Sequence, residues 1–177
     1  MTNEQPGRRR MSQEELSALY MLTGEGIWML QYLEDALTTN LSMKLDIKEK
    51  GSRTWEEVHA ILAKHRRHTL GNALKIARDE KVFGAALQKR LDAFHTERNW
   101  LVHRSLCQNS DELYVSTKRE EILRRLEAFS VEAKQLQDLI ASDLENFVAL
   151  RGVSRDTILR YAETQFRMLT GEDRGST

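Results

Sequence analysis

The sequence predicts an all-α protein, a compact bundle of about five to six helices, and three observations predict it. The one proline, Pro6, lies in the N-terminal tail, so no proline interrupts a helix further on. Valine and isoleucine are heavily outnumbered by the helix formers Leu, Ala, Glu, Lys, Arg and Gln. Apolar residues recur at three- and four-residue spacing behind three capping-box sequences, Ser12-Gln13-Glu14-Glu15, Thr54-Trp55-Glu56-Glu57 and Thr117-Lys118-Arg119-Glu120. With 177 residues the chain can bury one real core and is too short for two ordinary domains. We expect one helical domain over residues 12–169, between a polar basic tail, 1–11, and a polar tail, 170–177.

Each element has its own signal. Leu16, Leu19, Tyr20, Thr23, Ile27, Leu30, Leu33 and Leu37 mark a long first helix reaching about Thr39, with Gly24 and Gly26 as points of close packing. Lys44 to Ser52 is polar and Lys-rich and reads as a loop. Val58, Ile61 and Leu62 carry a second helix that ends near Lys64-His65-Arg66-Arg67-His68. Thr69-Leu70-Gly71 breaks the chain before a short third helix through Leu74 to Glu80. A fourth begins near Gly84, and its apolar positions continue past His103 with no breaker. After a polar turn at Gln108 to Asp111, Ile122, Leu126, Phe129, Ala133, Leu136, Ile140, Leu144, Phe147 and Leu150 form a stripe about nine turns long. Gly152 ends that helix, and Ser154-Arg155-Asp156 opens a last one running to about Met168.

Composition narrows the function. The formal charge is zero, but residues 64–104 hold 10 Lys/Arg against 4 Asp/Glu (net +6), whereas the flanking stretches are each net −3. A polyphosphate ligand needs such a concentration of cations. A single cysteine, Cys107, permits no internal disulfide and no Cys-rich zinc cluster, and fits a reducing cytoplasm. The N-terminal residues lack the apolar run of a secretory signal, and no stretch nears the roughly 20 apolar residues of a membrane span. We therefore expect a cytoplasmic protein without a membrane partner.

The chemistry lies in Glu97-Arg98-Asn99-Trp100-Leu101-Val102-His103. At roughly 100° per residue, Leu87, Leu91, Phe94 and Leu101 share a core-facing arc that also contains Arg98. A permanent cation on a buried stripe requires carboxylates, carbonyls or a ligand phosphate for its five donors. Asn99 and His103, four apart, share a second arc, with His95 one turn earlier on the same line. Arg98 and His103 are separated by roughly 140° on an ideal helix. To meet, they need a distorted helix, an arginine that bends round, or a second copy of the chain. Trp100 points away from the arc of Leu87 and Phe94, which marks it as a dimer contact.

Arg98-Asn99-Trp100-Leu101-Val102-His103 resembles the R-[polar]-x-x-x-H motif of the HEPN superfamily, whose members include toxin, abortive-infection and CRISPR-associated ribonucleases. The similarity is strongest over residues 69–107. The resemblance implies a HEPN-like helical bundle, usually dimeric, that cuts RNA through the 2′-hydroxyl without a metal or other cofactor. It implies that His103 is the acid/base residue, that Arg98 stabilises the phosphorane-like transition state, and that Asn99 orients one of them or the phosphate. The residue types agree with these roles, since histidine titrates near neutrality and the arginine fork matches phosphate.

His65-Arg66-Arg67-His68 and His95 are candidate substrate-binding residues, although a basic helix end also complements the helix dipole. Zinc is not expected, because no His and carboxylate set has ligand spacing. Arg8-Arg9-Arg10 reads as a solvated tail. The expected partners are RNA and a second copy of the chain, with an antitoxin, guide RNA or regulatory protein as a control element. Two readings compete with a nuclease: a non-catalytic HEPN-like module binding RNA, nucleotide or protein, and an antitoxin or adaptor whose helix 117–150 docks on another protein.

Overall fold

The computed structural model describes residues 8–49 and 51–171. Over them the chain forms seven α-helices and no strand: α1 (Gln13–Leu41), α2 (Trp55–His65), α3 (Leu70–Asp79), α4 (Ala85–His103), α5 (Ser105–Asn109), α6 (Ser116–Ala149) and α7 (Arg155–Thr170). The all-α expectation holds. The seventh helix arises because α4 stops at His103, where a run past that residue was expected. Arg104 leaves helical geometry (φ −128°, ψ −19°), and α5 begins afresh.

The first two capping boxes form as expected, with Ser12 and Thr54 each accepting from the backbone three residues on and Glu15 and Glu57 reaching back. Thr117-Lys118-Arg119-Glu120 is not a cap. The helix starts earlier, behind Val115, because Arg119 is drawn into the core, where it donates to Glu15, the Leu113 carbonyl and Ser116. The loop expected from Lys44 is also corrected. Ser42–Ile47 continues α1 as a π-helical turn, and Lys44 faces inward to Asp143 and the Val82 carbonyl, close to the rings of Phe83 and Phe147.

The core lies where α1, α4 and α6 meet. Leu30, Leu33, Leu37 and Leu41 of α1 bury against Ile122, Leu126, Phe129, Ala133, Leu136 and Ile140 of α6, and α4 adds Leu91, Phe94 and Leu101. Each such side chain contributes about 1.5–3 kcal/mol on full burial. Phe94 stacks on Phe129 with centroids 4.6 Å apart. Gly26 allows the approach, since a Cβ there would lie 3.3 Å from Leu101 Cδ2 and 3.4 Å from Phe129 Cδ1, whereas one at Gly24 would meet nothing.

This packing uses the stripe of α6 from Ile122 to Ile140 inside the chain, and leaves Val131 and Leu139 as the exposed large apolar residues of that span. Val153 donates to Val148 and Gly152 to Ala149, closing α6 with Gly152 at positive φ. α7 then extends with no buried residue, exposing Leu159, Tyr161, Phe166 and Leu169. Thr170 is helical, one residue into the expected tail.

At the other end, Arg8 bridges Val115 and the Arg9 amide donates to Tyr114, so this part of the basic tail is docked on the body. The outer parts of both tails, 1–7 with Pro6 and 172–177, lie outside the described residues. Among those described, no helix is long and apolar enough to cross a membrane.

Candidate functional site

α4 carries the motif, with His95 lying against Gly71 at the start of α3. Arg98 and Asn99 are half-buried and His103 is exposed in the last turn. The separation on the wheel is bridged within one chain, because the long Arg98 side chain runs along the helix and its Nη1 donates to His103 Nε2 at 3.1 Å. The same Nη1 lies 3.4 Å from Asn99 Oδ1, and Asn99 Nδ2 is 3.3 Å from His95 Nε2. His95, Asn99, Arg98 and His103 are thus one hydrogen-bonded line.

The directions of these bonds have chemical content. A guanidinium only donates, so His103 Nε2 is the acceptor of this bond. Asn99 accepts from arginine through Oδ1 and donates through Nδ2, which makes His95 Nε2 an acceptor too.

Packing holds the line in place. A Cβ on Gly71 would lie 2.9 Å from His95 Nε2 and 3.0 Å from its Cε1, so only glycine there leaves room for the ring. Thr69 caps α3 by accepting from the Asn72 amide, and Asn72 Nδ2 meets His68 Nδ1 at 3.1 Å. The expected substrate-binding residues therefore divide. His95 joins the motif directly, and His68 lies at the neighbouring helix start.

His65 does not belong to this surface. It is 3 % exposed, and its Nε2 lies 2.6 Å from Asp46 Oδ2, so the ring is a buried strut between α2 and the π-helical turn. Burial raises the Asp46 carboxyl, but its contacts with His65 and Lys64 outweigh that and hold it below the usual range. Arg66 is exposed and paired with Asp35 of α1 at 2.9 Å. Arg67 is exposed and has no ion-pair partner among the described residues.

Trp100 is also corrected. It is 5 % exposed and part of the core, with the Arg125 guanidinium 3.7 Å above its ring. It serves the fold of its own chain: residues of α1, α5 and α6 line the space around it, a cover that a wheel drawn for α4 alone does not show.

Arg98 has only neutral partners. Its Nε is buried without an acceptor, and no carboxylate pairs with it among the described residues. Of the ten cations in residues 64–104, Lys64, Arg66, Lys75, Arg78 and Arg90 are paired with carboxylates, while Arg67, Lys81, Lys89, Arg98 and Arg104 have no such partner among the described residues. Two of those five, Arg98 and Arg104, bracket His103 in the chain.

Glu34 is the charged residue that the sequence reading passed over. It is half-buried on α1, and burial pushes its carboxyl up more than the Arg98 charge pulls it down. Its signal was available: it adjoins the apolar arc of Leu30, Leu33 and Leu37, as Arg98 adjoins that of α4. Among the described residues, no group of three or more His, Cys, Asp or Glu is arranged to hold a metal ion. No protein-family model matches the chain, and no curated protein or solved structure matches it.

Proposed function

We propose that this chain is a metal-independent endoribonuclease of the HEPN type, acting on RNA in a cytoplasmic defence or stress response. The observation that carries this reading is the 3.1 Å contact between Arg98 Nη1 and His103 Nε2, made across five residues by an arginine that has no carboxylate partner. An arginine placed only for stability would be expected to pair with an acid, since an uncompensated, partly buried cation is costly. Arg98 instead makes its hydrogen bonds to neutral groups, with the Glu34 carboxyl acting on it only through space, and a phosphate is a group whose geometry a guanidinium fits.

In the reaction, His103 takes the proton from a ribose 2′-hydroxyl as that oxygen attacks phosphorus. Arg98 stabilises the extra negative charge on the pentacoordinate phosphorus, and Asn99 and His95 hold the arginine in register. Arg104, next to His103 in the chain and without an ion-pair partner among the described residues, would hold a flanking phosphate. The products are a 2′,3′-cyclic phosphate and a 5′-hydroxyl.

The test is incubation of purified protein with total RNA in EDTA. Wild type yields fragments ending in 2′,3′-cyclic phosphate, and His103→Ala does not. Equal, intact RNA with both proteins removes the nuclease reading. Retained RNA binding by both would then favour the non-catalytic module.

A further inference from the structure

Trp100 is 5 % exposed, and its indole Nε1 is buried with no acceptor among the described residues. The ring is not free to swing toward one. The Arg125 guanidinium lies 3.7 Å from its centroid, and Arg125 is itself held by two hydrogen bonds to Glu97, at 2.8 and 3.1 Å. A buried donor without a partner is costly, and native proteins keep few of them.

Trp100 forms part of the wall of a cavity of about 200 Å³ that residues of α1, α5 and α6 also line. Leu19, Leu113, Ile122 and Leu126 make much of that wall apolar. Thr23, Ser105 and Asn109 are its polar members, and they spend their donors on their own helices, on the carbonyls of Leu19, Leu101 and Ser105. Asn109 is 9 % exposed, and its Oδ1 accepts no hydrogen bond among the described residues. One cavity wall thus carries a free donor, Trp100 Nε1, and a free acceptor, Asn109 Oδ1. Tyr20 and Leu106 line the same cavity and are exposed, so it opens to solvent.

The wall selects its occupant. Water would satisfy the two polar groups and leave the apolar surface uncovered, whereas a hydrocarbon would cover that surface and leave donor and acceptor unpaired. A planar heterocycle with an acceptor beside a donor on one edge does both, and every nucleobase has such an edge. Size chooses among the bases. An apolar cavity of about 150 Å³ holds one benzene ring, so about 200 Å³ suits one substituted ring better than a fused pair.

We infer that this cavity is a binding site for a pyrimidine base, with Trp100 Nε1 donating to the base and Asn109 Oδ1 accepting from it. Trp100 lies between Asn99 and His103 in sequence, so a strand bound at the motif is one source of the base and a free nucleoside is another. The first source rests on the ribonuclease reading; the second does not.

The experiment follows the indole N–H signals of the folded protein by NMR. Replacing the exposed Trp28 and Trp55 by Phe leaves the signal of Trp100 alone. Uridine or cytidine should move it downfield and saturably, since a proton entering a hydrogen bond is deshielded, and ribose 5-phosphate should not. Thr23→Met, which fills the cavity from α1, should keep the signal and lose the shift. Asn109→Ala should bind uridine about 3- to 10-fold more weakly, the loss of one hydrogen bond. A uridine analogue with difluorobenzene for its base has the shape without the hydrogen bonds, and it should lose little affinity in Asn109→Ala. A 2′-O-methyl oligouridine, which resists cleavage through the 2′-hydroxyl, moves the signal if a strand presents the base and leaves it in place if only free nucleosides enter.

No saturable shift with either pyrimidine, an equal shift with ribose 5-phosphate, or an undiminished shift in Thr23→Met would overturn the site. Adenosine binding as tightly as uridine would overturn the choice of a pyrimidine. Intact RNA in the EDTA assay alongside a shifted Trp100 signal would remove the ribonuclease reading and leave the base site standing.

Discussion

Gly71 shows how closely the site is fitted at the scale of one residue. Its missing side chain leaves room for the ring of His95, which in turn meets the Asn99 amide. In most helices Gly→Ala stabilises by about 0.5–1 kcal/mol. Here the methyl group must displace the imidazole. On the proposed ribonuclease reading, Gly71→Ala should therefore melt at or slightly above the wild-type temperature yet cleave RNA up to about 10²-fold more slowly, the cost of a shift of about an ångström in such a site. Thermal melts and cleavage rates measured side by side check this, and unchanged activity would remove His95 from the line. His65 is the instructive opposite. It belongs to the same basic run as His68, yet its ring is buried against Asp46. Nothing local distinguishes the two histidines; only the π-helical turn, 18 or more residues earlier, decides which one is covered.

At the scale of elements, one buried arginine ties three of them together. Arg119 is 2 % exposed and joins the first turn of α6 to Glu15 in the first turn of α1 and to the carbonyl of Leu113. Arg119→Ala should cost about 3–5 kcal/mol, the usual penalty for breaking a buried pair from one side, measured by urea unfolding. Glu15 also has Arg9 and the Ser12 amide as partners, and their hydrogen bonds hold its carboxyl at about 2, below its ordinary 4.5. A lowered carboxyl stabilises above its unfolded value, so this contribution fades as the pH falls from 4.5 toward 2 and should be absent from Glu15→Gln. The helices themselves were legible because caps and apolar periodicity are local. What was not legible depended on distant partners. Arg119 looked like part of a cap because its carboxylate lies 104 residues away. Lys44 looked like loop because Asp143 and Phe147 come from the far end of α6. The motif was readable as a pattern, but that Arg98 turns along its own helix to His103 follows from three-dimensional packing.

At the scale of the whole molecule, the local excess of positive charge is smaller than its count. Half of the ten cations in residues 64–104 are paired with acids; the other five are Arg67, Lys81, Lys89, Arg98 and Arg104, and of these Arg98 and Arg104 stand on either side of His103 in the chain. On the proposed ribonuclease reading, RNA held at the motif through about three phosphates gives a slope near −2 for log affinity against log salt. A titration between low and physiological salt measures it, and a slope of −5 or steeper would require a broad basic face instead. The burial of Trp100 has an optical consequence. The chain has three tryptophans, of which Trp28 and Trp55 are 60 % and 63 % exposed and Trp100 lies beneath Arg125. A water-borne quencher silences the first two and spares the third, so the emission that survives comes from a residue inside the motif, two positions from Arg98 and three from His103, and a nucleotide settling there changes the colour of that light.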